Sequence, residues 1–182
     1  GRLKDNLSMP GLWNNSSYAP YHTQSPCLGP PCASINASTG GMDDRFDMLL
    51  GSYLMNDGAG LDLVSGGLPN GYGPYGNDGL HYNQAIDGNG FNAAVGLTVA
   101  TALRLSSDHL PVIATLQLPA KLAAASELSF GDVLAGATAT QSLSVDNLPA
   151  PPAATLQYSL VASAGFTAPF ATPRNSAIPS MF

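Results

Sequence analysis

Residues 45–52 read RFDMLLGS and residues 107–112 read SDHLPV, and these two stretches carry most of the information on the fold. In the first, Asp47 lies near the start of a short apolar segment that is typical of a buried strand. In the second, Asp108 and His109 come directly before an alternating apolar segment that predicts another strand. An Asp beside a His at the start of a strand places a ligand for a hard cation next to a group that transfers protons.

Each stretch also has a purely structural interpretation. Asp43, Asp44 and Asp47 around Arg45 are compatible with a solvated turn that contains a local ion pair, and the Asp–His pair is compatible with an N-cap and a surface histidine. If the two predicted strands are neighbours, however, Asp47 can bond to one imidazole nitrogen of His109. That contact fixes the tautomer of the ring and favours its imidazolium form.

The composition excludes several classes of protein. Hydrophobic residues make up 45% of the 182 residues, which is enough for a core. The formal net charge is -6, so no basic surface is expected to hold nucleic acid, and a metal ion would have to supply positive charge at a phosphate. No apolar run approaches the roughly 18 residues of a membrane-spanning helix. Cys27 and Cys32 predict either a local disulfide or two free thiols, rather than a redox or zinc site, and the weakly charged surface favours a location outside the cytoplasm.

The rest of the chain divides into three parts. Up to residue 43 turn residues dominate, a helix is expected within residues 92–105, and strands are expected at 45–52 and 110–118. An Ala-rich linker follows, after which the apolar residues alternate as in an antiparallel β-sandwich. The predicted fold class is therefore α+β, with domains at residues 1–118 and 127–182, a linker at 119–126, and strands of the second domain at 127–133, 139–145 and 156–162.

The paired motifs resemble the closing half of the endonuclease/exonuclease/phosphatase superfamily, the DNase I-like metal phosphodiesterases. Asp47 matches the Asp of that family's Arg-x-Asp-aromatic strand, with Met48 where an aromatic residue is usual. Asp108 and His109 match its terminal Asp–His pair, with 60 residues between Asp47 and Asp108. The stretches HTQSP at residues 22–26 and PYGNDG look like loops of a secreted bacterial branch of the same superfamily.

The resemblance implies a fold, a chemistry and a set of residues. The fold would be the C-terminal part of an α/β sandwich of two packed sheets flanked by helices. His109 would act as acid or base, oriented by Asp47, and Asp108 would bind a divalent cation (Mg²⁺, or Mn²⁺ or Ca²⁺) that activates water. His81, Asn77 and Asp78 are candidates for contact with a phosphoester substrate such as nucleic acid, although an ordinary surface histidine is the alternative for His81.

The same resemblance predicts that this chain is a fragment. The family uses a metal-binding Glu and an Asp-x-Asn strand end ahead of the closing motif. Eleven of the 12 acidic residues here are Asp, and the only Glu, Glu127, follows the closing motif. We therefore expect residues 1–182 alone to be inactive.

The second domain resembles the immunoglobulin-like repeats of bacterial surface proteins, sometimes called choice-of-anchor modules, and appears cut short at the C-terminus of the sequence. It would provide spacing or attachment to the cell surface. The leading interpretation is a secreted or surface-bound bacterial phosphodiesterase. The alternative is a non-catalytic extracellular adhesion or structural protein in which the Asp–His pair is only structural.

Overall fold

In a computed structural model of the chain, residues 2–7, 9–64, 68 and 71–168 are described. The chain divides into two compact units. Unit 1 consists of Gly1–Tyr53 and Leu63–Thr115, and unit 2 consists of Leu54–Asp62 and Leu116–Phe182. The fold mixes a small amount of helix with small antiparallel sheets, so the coarse α+β assignment holds.

Unit 1 contains two antiparallel strand pairs and one α-helix. Strands β1 and β2 pair with Leu3 opposite Ser52, and strands β4 and β5 pair with Tyr72 opposite Ala114. The bounds of the strands and of the helix α1 are β1 Leu3–Asp5, β2 Leu50–Ser52, β4 Tyr72–Pro74, β5 Val112–Ala114 and α1 Gly96–Ser106. Strand β3 (Asp62–Leu63) lies where the chain passes from unit 2 back to unit 1. Short 3-10 helices lie at Ser16–Tyr21, Tyr53–Met55 and Gly88–Gly90.

The helix α1 forms close to where the sequence predicts it. Before it, the side chain of Asn92 accepts hydrogen bonds from the backbone N–H groups of Ala94 and Val95, which turns the chain into the helix. Ala100 on its inner face is fully buried and packs with Leu110 and other apolar residues of a small core. The helix thus anchors the start of the segment that carries the Asp–His pair. A second core gathers Leu7, Met9 and Tyr72 with surrounding aromatic side chains: Trp13, Tyr18 and Tyr21.

A charged network lies inside unit 1. Arg45 is 1% exposed, and its Nη1 lies 2.7 Å from the Oδ2 of Asp5. Its Nη2 donates to the hydroxyl of Tyr72, which in turn donates to Asp5, so the three groups form a closed ring of hydrogen bonds. The guanidinium also lies 5.9 Å from the centre of the Trp13 ring. The interpretation of residues 43–47 as a solvated turn with a local ion pair is therefore wrong for Arg45, whose partner comes from β1.

Several predicted elements of unit 1 are shorter than expected. The predicted strand 45–52 is regular only over β2, and the predicted strand 110–118 is divided into β5 and the strand β6 Leu116–Gln117, with Thr115 between them. The stretch predicted as loop up to residue 43 contains β1 and a 3-10 helix. Phe46 and Asp47 donate their backbone N–H groups to Thr23 rather than to a strand, and Pro111 has no N–H to donate, so the regular strands begin only at Leu50 and Val112.

Unit 2 differs more from the prediction. Strand β7 (Leu122–Ala124) pairs with strand β8 (Val145–Asn147) in an antiparallel ladder, so the segment predicted as a linker contributes a strand. The strands predicted at 127–133, 139–145 and 156–162 are absent from this part of the described chain, apart from Val145 in β8. Nearly all residues from 127 to 144 are exposed. No immunoglobulin-like sandwich is seen in the described residues, and the stretch from Pro169 onward lies outside them.

Alternation of apolar residues shows only that a segment can pair. A ladder needs a second segment that supplies the facing N–H and C=O groups. Between residues 127 and 144 the hydrogen bonds are local, such as that from the Gln141 amide to the carbonyl of Ser129 at 3.0 Å. Across the described residues, no helix is long and apolar enough to cross a membrane.

Candidate active site

The structure brings the two sequence motifs together. The Nδ1 of His109 lies 2.7 Å from the Oδ2 of Asp47, across a separation of 62 residues. Each side chain is 36% exposed, so the pair (the dyad) is reachable from solvent. The prediction that these groups lie within hydrogen-bonding reach is confirmed. The expectation that they leave adjacent strands is not, because β2 pairs with β1 and β5 pairs with β4.

A short polar segment replaces the expected strand pairing. The Oγ1 of Thr23 accepts hydrogen bonds from the backbone N–H groups of Phe46 and Asp47, at 3.0 and 3.2 Å. The carbonyl of Thr23 accepts from the N–H of Leu110 at 2.8 Å, directly after His109. One buried residue therefore holds the segments of both members of the dyad at once.

The second ring nitrogen of His109 is also occupied. Its Nε2 lies 2.9 Å from the amide nitrogen of Gln24, the residue after Thr23. The ring of Phe46 lies 6.3 Å away, centre to centre, and is tilted by 57°. Phe46 is 55% exposed, so the imidazole is bordered by an apolar side chain that water reaches.

Asp108 follows helix α1 and does not cap the start of a helix. Its Oδ2 accepts the backbone N–H of Ser38 at 2.9 Å, and this hydrogen bond, which outweighs a small burial effect, keeps the pKa of Asp108 below its usual value. The carboxylate is thus ionised at neutral pH, as a metal ligand must be. The described residues contain no group of three or more His, Cys, Asp or Glu side chains able to hold a metal ion. Asp108 fits as one ligand of a divalent cation and does not make a site alone.

The predicted substrate-binding residues form a separate, structural cluster. His81 is 2% exposed, and its ring nitrogens lie 2.9 Å from Asp78 Oδ1 and 3.1 Å from the carbonyl of Gly88. The amide nitrogen of Asn77 donates to two backbone carbonyls near the end of the 3-10 helix at Ser16–Tyr21. Both nitrogens of His81 are engaged and buried in the free protein, and contact of this side chain with substrate stays a prediction. These residues hold loops in place.

Hydrogen bonds also explain the acidity of Asp78. Burial alone would raise the pKa of Asp78, but the N–H groups of Ala93 and Leu80 and the ring of His81 outweigh it and lower the pKa. Asp78 and Asn77 line a cavity of about 360 Å³ whose walls are otherwise largely proline, tyrosine and aliphatic side chains. The polar atoms of Asp78 and Asn77 make hydrogen bonds to other groups of the protein. The surface of the cavity is therefore predominantly apolar.

The cysteines are joined. Cys27 and Cys32 form a disulfide across the loop that follows the Thr23–Gln24 segment, which settles the alternative that the sequence left open.

The acidic neighbours Asp43 and Asp44 do not face the dyad through any described contact. Burial and the charge of Asp44 raise the pKa of Asp43, which accepts a hydrogen bond from Asn14.

Sequence reasoning missed the contribution of Thr23 and Gln24. Both belong to the HTQSP stretch, which the resemblance identifies only as a loop. That stretch was the one signal that could have found them.

Comparison with known proteins adds no further assignment. No family model, curated protein or solved structure matches the chain.

Proposed function

We propose that residues 1–118 carry the acid/base dyad of a metal-dependent phosphodiesterase of the DNase I-like sandwich fold. The observation that carries the proposal is the 2.7 Å contact between His109 Nδ1 and Asp47 Oδ2. Two motifs that resemble the same family, 62 residues apart, meet through the two side chains that the resemblance pairs. A surface ion pair formed by chance has no reason to join these two positions.

The proposed role of the dyad follows from imidazole chemistry. Asp47 accepts a hydrogen bond from the N–H at Nδ1, which leaves the lone pair of the neutral ring on Nε2. At Nε2, His109 takes a proton from an attacking water or returns one to the leaving oxygen. Asp47 stabilises the imidazolium that forms and keeps the ring oriented. General acid–base catalysis of this kind contributes roughly 10²- to 10⁴-fold to a rate.

The proposed metal site involves Asp108. A Mg²⁺, Mn²⁺ or Ca²⁺ ion would neutralise phosphate charge and lower the pKa of a bound water. Asp108 would contribute one carboxylate, and one of its oxygens already accepts from Ser38. We propose that the other ligands, including the Glu that the resemblance expects, come from outside residues 1–118. The net charge of -6 supports a metal-assisted mechanism, since protein cations are scarce.

The setting of the enzyme is proposed to be extracytoplasmic. The disulfide between Cys27 and Cys32 supports an oxidising compartment, in keeping with a secreted or surface-bound bacterial protein. Unit 2 would act as a spacer or attachment module, of the immunoglobulin-like kind that its sequence resembles. The substrate would be a phosphoester, for which nucleic acid is the first candidate.

The experiment compares two proteins: residues 1–182, and the product of the reading frame extended upstream. Each is assayed with plasmid DNA and with bis(p-nitrophenyl) phosphate, with Mg²⁺ and with EDTA. We expect Mg²⁺-dependent hydrolysis by the extended protein and none by residues 1–182. His109→Ala in the extended protein should abolish it, and Gln141→Ala, on the exposed surface of unit 2, should not.

Two results would contradict the proposal. Robust hydrolysis by residues 1–182 would refute the assignment of the missing ligands. Full activity of His109→Ala would remove the dyad from the mechanism. Absence of hydrolysis in both proteins, across DNA, RNA and phospholipid substrates, would favour the non-catalytic adhesion protein.

A further inference from the structure

The imidazole of His109 is held at both nitrogens. Asp47 contacts Nδ1, and the amide nitrogen of Gln24 lies 2.9 Å from Nε2 although the two residues are 85 positions apart. The dyad therefore has a third member, which neither the paired motifs nor the comparisons assign.

The backbone of Gln24 is fixed. Its N–H donates to the carbonyl of Asp44 at 3.0 Å, and its carbonyl accepts from the N–H groups of Asp43 and Asp44 at 3.0 and 3.1 Å. The preceding residue, Thr23, is 1% exposed and bonded to the segments of both dyad members. The side chain of Gln24 thus starts from a fixed backbone position, and its contact with the ring is part of the architecture of the site.

Hydrogen-bond complementarity defines which atom carries the proton. A neutral imidazole has one N–H donor and one acceptor nitrogen. The carboxylate of Asp47 can only accept, so Nδ1 carries the proton and Nε2 is the acceptor. The amide NH₂ of Gln24 matches that acceptor, and a carbonyl oxygen in the same place would not.

We infer that Gln24 is a positioning residue for the proposed hydrolysis, which holds the His109 ring with an unprotonated Nε2 ready to take a proton. The inference rests on the proposed function. Held at Nδ1 alone, the ring can swing about a single hydrogen bond. Held at both nitrogens, it keeps the orientation that proton transfer requires.

The position of the amide also indicates where a reactant binds. A water or phosphate oxygen that exchanges a proton with Nε2 must come within roughly 2.6–3.2 Å of it. The amide nitrogen of Gln24 occupies that place in the free protein. A reactant therefore reaches Nε2 only when the amide moves aside, so Gln24 sets the orientation and tautomer of the ring in the free protein, before the reactant binds.

The test uses Gln24→Met, which keeps the length and bulk of the side chain and removes the donor. Gln141→Met is the matched control, because Gln141 is an exposed glutamine of unit 2 whose amide donates to a backbone carbonyl. The first readout is the ¹⁵N spectrum of the imidazoles in residues 1–182 at pH 8, with His109 assigned through His109→Ala. We expect an unprotonated, hydrogen-bonded Nε2 and a protonated Nδ1 in the wild type, and loss of the hydrogen-bond displacement at Nε2 in Gln24→Met only.

The second readout is the rate at which diethyl pyrocarbonate modifies Nε2 of His109, followed by mass spectrometry. Loss of one hydrogen bond at Nε2 should raise this rate about two- to tenfold in Gln24→Met, with no change in Gln141→Met. A protonated Nε2 in the wild type, or identical spectra and rates in wild type and Gln24→Met, would overturn the inference.

Kinetics of the upstream-extended protein provide the functional readout. Gln24→Met should lower kcat/KM about tenfold, because the free protein no longer holds the ring in the orientation that the reactant meets. An unchanged kcat/KM would overturn the positioning role. If instead His109→Ala is fully active, the proposed function fails, while the spectra and modification rates still report separately on the Gln24 contact.

Discussion

Replacing the buried Arg45 tests the network that holds the segment leading to Asp47. In Arg45→Met, a side chain of similar apolar volume replaces a guanidinium that is 1% exposed and bonded to Asp5 and Tyr72. The substitution leaves the Asp5 carboxylate without its cationic partner. Breaking a buried pair from one side costs about 3–5 kcal/mol. Because the side chain of Asp5 is 25% exposed and water relieves part of that cost, we expect about 3 kcal/mol.

The assay is urea denaturation followed by fluorescence of Trp13, the single tryptophan, which lies beside Arg45. With a denaturant slope of about 2 kcal/mol per molar, the midpoint should fall by about 1.5 M. Arg2→Met, at an exposed arginine, is the control and should change stability by less than about 0.5 kcal/mol. If Arg45→Met unfolds at the same urea concentration as Arg2→Met, the network does not stabilise unit 1 and the reasoning is refuted.

The remaining predictions concern the loops and two hydrogen-bonded carboxylates. Thr23→Val removes the acceptor of two backbone N–H groups and should cost about 1–3 kcal/mol in the same urea assay, with Thr23→Ser retaining most of the stability. Gly41→Ala should destabilise the protein far more than Gly11→Ala. Both glycines have φ near +90°, but only at Gly41 would the new Cβ lie 2.5 Å from facing backbone atoms. Equal urea midpoints for the two variants would contradict the described packing. Asp5 and Asp78 have folded pKa values below their usual range, so their stabilisation is complete above about pH 5 and is lost as the pH falls through those lowered values. Urea midpoints measured between pH 6 and pH 2 should therefore decrease, and a flat profile would be incompatible with these shifts.

The dyad could be predicted from the sequence because its chemistry lies in compact motifs. Asp47 and His109 each occupy a recognisable position at the start of an apolar segment, and their pairing follows from the resemblance. The prediction that Asp47 and His109 are brought together by neighbouring strands was wrong, since β2 and β5 do not pair with each other. The Thr23–Gln24 segment brings Asp47 and His109 together instead. Gln24 lies 85 residues from His109 in the sequence, and no spacing pattern predicts such a contact.

The sandwich prediction is not confirmed in the described part of unit 2, for a different reason. The alternation in residues 127–162 measures the capacity of a segment to form a half-buried strand, but a strand also depends on a partner. In the described part of unit 2, β7 and β8 are each other's partner, whereas residues 127–144 pair with no other strand. His81 has the sequence setting of a polar loop histidine, and its ring bonds locally to Asp78 and Gly88, three and seven residues away. The sequence contains no pattern from which the burial of this loop can be inferred.

The most direct test of the central claim is a double-mutant cycle on the dyad, measured as Mg²⁺-dependent hydrolysis of bis(p-nitrophenyl) phosphate by the upstream-extended protein. The variants are Asp47→Ala, His109→Ala and the double substitution, with folding checked by Trp13 fluorescence. If Asp47 acts through His109, the double variant should be no slower than His109→Ala alone, since residues that act as a unit are strongly non-additive. Independent losses that multiply in the double variant, or a His109→Ala protein that hydrolyses at the wild-type rate, would contradict the account.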